Sequence, residues 1–420
     1  MRVSFKTFGC RLNQAESERL AADFEAAGWN VVAAGAVADV VVLHGCAVTR
    51  AAEQECLHQA RRIKRMAQEA GEPEPFVVLV GCVVEADVAR RDVAGVDLLV
   101  AREDKERLAE IVTACLGVAT PPRVEPATAM PRRKRALLKV QDGCDFFCSY
   151  CIVPHTRGKP VSRPWQAVLD EARALARAGF AELVVTGCNV ACYRSGARGL
   201  ADLVAAIAAL DEVHRIRLSS IEPSTSEREI VELMAACPKL CRHLHLPLQS
   251  GDADTLRRMG RRYTPEAYAE TVRYAVGCLP LLGLGTDLIT GFPGESDEAF
   301  ARSRAFVDGL PFNNLHVFPY SERPGTPAAN RTDTVPLAVR KARARELIRL
   351  REEKRAAFAR QLVGRPAEVL IESVGRDGCG RGWSGEYLDC RVDGVVRAEI
   401  GSIVAFQPER AEAGVLYGGR

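Results

Sequence analysis

Short, strongly apolar runs alternate with longer helix-forming stretches over about the first 330 residues of this chain. That alternation limits the fold more than any other feature. Apolar, β-branched runs at 3–8, 40–43, 76–80 and 96–100 are separated by helical sequence at 13–27 and 51–69, with a further helix at 105–116. Strands that read apolar on both faces, joined by helices, form parallel sheets covered on both sides. An N-terminal doubly wound parallel α/β domain is therefore expected over residues 1–120. The proline-rich, aperiodic stretch 121–133 reads as a linker. Alternation then resumes, with strands at 136–140, 182–186, 215–219, 243–247, 283–289 and 314–318 and five helices between them. Six strands are too few for a complete eightfold barrel, so an incomplete parallel (β/α)6 barrel is expected. A basic helix at 337–361 ends this segment, which spans 134–362. Residues 363–420 hold short runs at 367–373, 387–392, 395–398 and 402–406 between Gly and Asp, the pattern of a small antiparallel β-barrel. That module carries seven Arg against nine Asp and Glu, so RNA contact there would use specific Arg and aromatic side chains rather than a basic field.

The cysteines carry the chemistry. Cys144, Cys148 and Cys151 stand at spacing C-x3-C-x2-C just past the first barrel strand, where barrel sites lie. Soft thiolates suit an iron–sulfur cluster, and a compact trio without a nearby fourth leaves one iron open. Zinc or buried core thiols are the alternative, although structural zinc sites usually pair two distant C-x2-C or His groups. A second trio, Cys10, Cys46 and Cys82, each follows a glycine at the end of an N-terminal strand. Ligands of open α/β sheets sit beyond those strand ends, so three thiols can converge there. Three independent buried thiols fit the same pattern. With fifteen cysteines, no apolar run of about 20 residues and no leader-like start, a cytoplasmic protein with reduced thiols and no membrane segment is expected. The basic run Arg132, Arg133, Lys134 and Arg135, and the group Arg257, Arg258, Arg261 and Arg262, read either as solvated faces or as phosphate contacts.

The string Lys139–Gly158, with Tyr150 before the last cysteine, resembles the methylthiotransferases of the radical S-adenosylmethionine superfamily. The likeness runs through Ser219–Pro223, His245–Gly251, Thr286–Glu295 and Phe318–Ala328 and so covers essentially the whole chain. It implies a radical-generating 4Fe-4S cluster on Cys144, Cys148 and Cys151 and an auxiliary 4Fe-4S cluster on Cys10, Cys46 and Cys82. It also implies a C-terminal TRAM barrel. S-adenosylmethionine would bind the open iron by its amino and carboxylate groups. Its reductive cleavage would yield a radical able to remove hydrogen from an unactivated carbon. Around this cofactor the resemblance implies Tyr150 by the adenine and close backbone approach at Gly187 and Gly291. Ser219, Glu222, Gln249 and Asp287 would meet its polar groups. The implied partners are tRNA and an electron donor of flavodoxin or ferredoxin type. The words Gly9-Cys10-Arg11-Leu12-Asn13-Gln14 and Asp142-Gly143-Cys144-Asp145 resemble the branch that acts on N6-threonylcarbamoyladenosine at tRNA position 37. Isopentenyladenosine-37 and a ribosomal-protein aspartate are the other substrates of the family, and a non-catalytic iron–sulfur RNA-binding protein is the rival from another class. His44-Gly45 stands where the family usually has Asn-Thr, which alters the hydrogen bonding beside Cys46.

Overall fold

The computed structural model describes residues 1–86, 93–118, 134–223 and 227–420. The expected linker 121–133, with Arg132 and Arg133, lies outside them. The described residues form two compact units.

The first unit comprises the described residues of 1–118 together with 143–159 and 321–329. Its sheet is wholly parallel, in the order Asn30–Val32, Arg2–Thr7, Val40–Gly45, Phe76–Gly81, Leu98–Val100. The period of two along these strands sorts their valines and leucines to opposite faces. Val40, Val42, Val78 and Val80 pack under Leu20 and Phe24 of helix Arg11–Ala26 and Val112 of helix Leu108–Cys115. Val41, Leu43, Val77 and Leu79 pack under Cys56 and Ala60 of helix Arg50–Ala70. Burial on both faces is why these strands read as unbroken apolar runs. The short strand Asn30–Val32, not foreseen, adds an edge.

In the second unit, Ala136–Lys139, Glu182–Thr186 and Arg215–Leu218 form one parallel three-stranded sheet, and His243–His245, Gly283–Thr290 and Asn314–Pro319 another. Ile216 bridges Leu240 in parallel, and the Ile221 amide donates to the His245 carbonyl at 2.9 Å. The six strands thus follow one another in chain order around a curved, incomplete barrel. Helices Trp165–Arg177, Leu200–Ala208, Glu227–Ala236, Pro265–Cys278 and Asp297–Asp308 join them. The helix Leu337–Leu362 packs against the last strand and turns two of its arginines inward. Arg340 donates to the Val335 and Tyr320 carbonyls, and Arg343 to the Glu295 and Asp297 carboxylates.

The C-terminal strands Ala367–Val374, Gly380–Ser384, Asp389–Val392, Ile403–Glu412 and Val415–Gly419 close into a barrel. It departs from the expected pattern in three ways. Asp389–Val392 pairs in parallel with Val415–Gly419, so the barrel is not purely antiparallel. Gly380–Ser384 and Val415–Gly419 are strands despite their glycines, which lower strand propensity. The run 395–398 is no strand; it leads into a 3-10 turn, Arg397–Glu399.

This small barrel packs on Phe358, Ala359 and Leu362 of the helix Leu337–Leu362 and presses one turn against the large barrel. Glu182, Arg215, His243 and Gly283 are the first residues of their strands, so they mark the N-terminal end of the large barrel. The turn after Gly380–Ser384 fills that end. Arg217 donates to the Ser384 carbonyl at 2.9 Å and the Gly385 carbonyl at 3.1 Å, and its guanidinium lies 4.7 Å from the Tyr387 ring. The His243 and Tyr387 rings are 4.8 Å apart. A Cβ on Gly283 would stand 2.1 Å from the Glu386 carbonyl, so only glycine admits the turn here. Arg135, whose run reads either as a solvated face or as phosphate contacts, pairs with Glu372 at 2.9 Å and faces Tyr387.

Candidate functional site

The first thiol group is built by sheet register. Gly45 lies opposite Gly81 and Thr7 opposite His44, so the chains leaving these three adjacent strands do so at one level. Cys10, Cys46 and Cys82 follow there. Gly9 has φ +88°, and a Cβ on it would fall 2.5 Å from Cys46 Sγ. The glycine before Cys10 therefore makes room for the neighbouring thiol. Cys10 is exposed, whereas Cys46 and Cys82 are buried. Burial pushes the Cys46 thiol up to about 11, with Cys10 and Cys82 close enough to add to the shift. Burial raises Cys82 too, against the opposing pull of Arg157. Clustered thiols, two of them buried and costly to ionise, suit a multivalent cation that replaces their protons. The donor set thus fits an iron–sulfur cluster. Cys56 is a buried thiol of the opposite face, raised to about 12 by burial.

The second thiol group sits on a tight loop of the same unit. The Cys144 amide donates to the Gly158 carbonyl at 3.0 Å and the Cys151 amide to the Cys148 carbonyl at 2.9 Å. Phe147 takes φ +48°, unusual for a bulky residue, and its exposed ring meets His155 edge-on. Such strain persists only where the surroundings fix it, and it clusters at functional loops. The Ser149 carbonyl accepts from the Ala328 amide at 2.8 Å. Tyr150, expected at the adenine, is half-buried on this loop.

The remaining expected residues belong to the barrel unit. Ser219 Oγ is buried with no hydrogen-bond partner among the described residues. An orphaned buried hydroxyl fits a site awaiting a polar ligand. Gln249 holds φ +73° at the strand edge; its amide donates to the Asp287 carbonyl and its carbonyl accepts from the Ile289 amide. Asp287 takes His245 Nε2 at 3.1 Å and His316 Nδ1 at 3.2 Å, and the two rings stack 4.9 Å apart. Burial alone would raise its carboxyl, but the two imidazoles hold it well below the usual range. These three offer metal-ligating atoms within 4.8 Å of one another, and both rings contact the same carboxylate oxygen, Oδ1. Glu222 pairs with Arg261, and burial nonetheless pushes it up to about 7, with Asp287 adding to the shift. Arg261 is thereby turned inward; Arg257 stays exposed and pairs with Asp254. The space at two expected glycines is taken by protein. A Cβ on Gly187 would meet the Gln141 carbonyl at 2.8 Å, and one on Gly291 would meet Arg340 Cγ at 2.3 Å. Cys188 donates to Asp142 at 3.3 Å.

Comparison with known proteins gives this arrangement a family. Residues 2–100 match a family described as uncharacterized protein family UPF0004, and residues 138–307 match the radical SAM superfamily. A tRNA-2-methylthio-N(6)-dimethylallyladenosine synthase of Cereibacter sphaeroides is 34% identical over 388 residues, which is 89% of this chain and 88% of that one. A threonylcarbamoyladenosine tRNA methylthiotransferase of Bacillus subtilis is 33% identical over 388 residues, covering 89% and 85%. The chain belongs to the radical S-adenosylmethionine tRNA methylthiotransferases. It is accordingly an enzyme that transfers a sulfur-containing group, with a 4Fe-4S cluster and S-adenosylmethionine. Among solved structures, the radical S-adenosylmethionine methyltransferase TsrM of Kitasatospora setae shares the fold, with TM-score 0.58 and 17% identity over 78% of this chain and 77% of that one. Among the described residues of this methylthiotransferase, no helix is long and apolar enough to cross a membrane.

Three groups of side chains escape a reading of the sequence. His316 lies in the strand Asn314–Pro319 but has no periodicity that marks it. Glu182 with Arg215 and Arg217 reads as ordinary strand sequence. Arg157, with Glu16 and Asn13, joins distant segments that only the fold unites.

Proposed function

We propose that this chain inserts a methylthio group at C2 of N6-threonylcarbamoyladenosine at position 37 of tRNA. The observation that carries this reading is the pair of thiol triples within one compact unit. Cys144, Cys148 and Cys151 would hold the radical-generating cluster and leave one iron for S-adenosylmethionine. Cys10, Cys46 and Cys82 would hold an auxiliary 4Fe-4S cluster. Bound S-adenosylmethionine supplies carbon-radical chemistry that no side-chain acid or base provides. The chain's own residues bind and orient. Tyr150 offers a ring to the adenine. Ser219 Oγ offers an unspent hydroxyl, and Gln249 presents its side chain from a strained backbone. Asp287, kept ionised by His245 and His316, offers a fixed negative charge for the cofactor's ammonium or sulfonium. Glu222, near neutrality in its proton affinity, can hold or release a proton beside Arg261. The C-terminal barrel, read as a TRAM module, would grip the tRNA, and an electron donor of flavodoxin or ferredoxin type would serve the radical cluster.

The threonylcarbamoyl substrate is favoured by the wording around Cys10 and Cys144 and by the Bacillus subtilis relative. The Cereibacter sphaeroides relative, at nearly equal identity, favours a second reading with dimethylallyladenosine. The two substituents differ sharply: one carries a carboxylate, the other is an apolar prenyl group. Anaerobically reconstituted enzyme should be given tRNA bearing either nucleoside, with products read by nucleoside mass spectrometry. Methylthiolation of the threonylcarbamoyl form alone is expected. Turnover of the dimethylallyl form alone would establish the second reading instead.

A further inference from the structure

Arg157 is a heavily engaged side chain of the first unit. It ends helix Val153–Arg157, six residues after Cys151, and is 4% exposed. Its Nε donates to Cys82 Sγ at 3.0 Å. Its two terminal nitrogens donate to the two Glu16 oxygens at 2.9 and 3.0 Å, and Nη2 also donates to Asn13 Oδ1 at 2.7 Å. Asn13 is anchored in turn, donating to the Phe8 and Gly45 carbonyls at 3.1 Å. Glu16 is shared with Lys105 Nζ at 2.9 Å, and His44 Nε2 lies 3.4 Å away. His44 Nδ1 is fixed by Ser17 Oγ at 2.9 Å. The unusual His44 thus belongs to the same buried network.

Glu16 is one carboxylate facing two cations, Arg157 and Lys105. A guanidinium stays charged in a protein and is costly to bury without anions. Here the planar fork is spent on Glu16, which leaves Nε aimed at sulfur. The apolar contact of Ile152, next to Cys151, with Ala47 and Cys82 ties the two thiol-bearing segments together on the same spot.

We propose that Arg157, locked by Glu16 and Asn13, is a positioning residue that donates a charge-assisted hydrogen bond to the Cys82 sulfur of the auxiliary cluster and raises that cluster's reduction potential. This rests on the auxiliary-cluster reading of Cys10, Cys46 and Cys82. Hydrogen bonds to ligand sulfurs, with charge and solvent exposure, set such potentials. A donor that stays cationic favours the more negative, reduced cluster. The same bond couples the radical-cluster loop to the auxiliary ligands, since Arg157 and Cys151 share one short segment.

The test uses the full chain with Cys144, Cys148 and Cys151 changed to Ala, reconstituted anaerobically with iron and sulfide, so that only the auxiliary cluster remains. Its midpoint potential is read by electron paramagnetic resonance during titration with dithionite. Adding Arg157→Gln should shift the reduction equilibrium about tenfold toward the oxidised form, 59 mV for a one-electron couple. Arg157→Lys, which keeps the charge but not the fork, should shift it less in the same direction. An unchanged potential in an Arg157→Gln or Arg157→Lys protein that still binds four irons would overturn the proposal. Failure of the parent triple variant to bind any iron would instead sink the auxiliary-cluster reading beneath it.

Discussion

At the scale of single residues, the thiols and their neighbours make the sharpest commitments. Gly9 sits in the left-handed region and its missing Cβ is what lets Cys46 Sγ approach. Gly9→Ala would add backbone strain of about 1–2 kcal/mol and a direct clash with the sulfur. Iron per chain in that variant should fall from near eight toward four while the fold, followed by circular dichroism, persists. Eight irons in Gly9→Ala would show that the three thiols do not share a cluster. Asp287 makes a second commitment. Asp287→Asn removes the fixed negative charge between His245 and His316, and a charge-assisted hydrogen bond contributes roughly 1.5–3 kcal/mol. S-adenosylmethionine affinity, measured by equilibrium binding, should weaken about tenfold or more; an unchanged affinity would remove Asp287 from the cofactor site. Residues of this kind differ in how far the sequence exposes them. Cys144, Cys148 and Cys151 announce themselves by local spacing. Arg157 touches Cys82 from 75 positions away, and no local pattern encodes that meeting.

At the scale of elements, the turn that plugs the large barrel depends on Glu182. Its carboxylate takes Arg217 Nε at 2.8 Å and Arg215 Nε at 2.7 Å, all three side chains being buried. Burial by itself would raise the Glu182 carboxyl, but Arg217 and Arg215 dominate and hold it down at about 2. A folded-state value below the unfolded one means that the unfolded chain binds protons first as pH falls. Stability from this group is therefore fully present above about pH 4.5 and is lost as pH drops toward 2, about 3 kcal/mol in all. Glu182→Gln leaves two buried guanidinium groups short of an anion and should cost roughly 3–5 kcal/mol near neutral pH. In denaturant titrations the gap between Glu182→Gln and the parent should narrow as pH falls below 4.5. A gap that stays constant down to pH 2 would contradict the ion-pair account. Element placement was legible where strands are buried on both faces, as at 40–45 and 76–81. It failed where glycine carries the strand, as in Gly380–Ser384 and Val415–Gly419, because there closure of the barrel overrides weak propensity.

At the scale of the whole molecule, alternation of strand and helix foretold parallel sheets in both α/β segments, but not the strand order of the N-terminal one. It could not foretell that the stretch 143–159, which bears the second thiol group, packs as part of the N-terminal unit. Nor could it foretell that the small C-terminal barrel seals the N-terminal end of the large one through Tyr387 and Arg217. That end of a barrel favours stability, and the opposite strand ends favour chemistry. Ser219 and Gln249 follow the C-terminal ends of their strands, and Asp287 lies within strand Gly283–Thr290. The central claim, methylthiolation of a threonylcarbamoylated adenosine in tRNA, is open to one direct measurement. Nucleosides from the tRNA of a strain lacking this gene should be compared with the parent by mass spectrometry. The account predicts loss of 2-methylthio-N6-threonylcarbamoyladenosine with accumulation of its unthiolated precursor. An unchanged level of that nucleoside, with loss of the dimethylallyl counterpart instead, would contradict it.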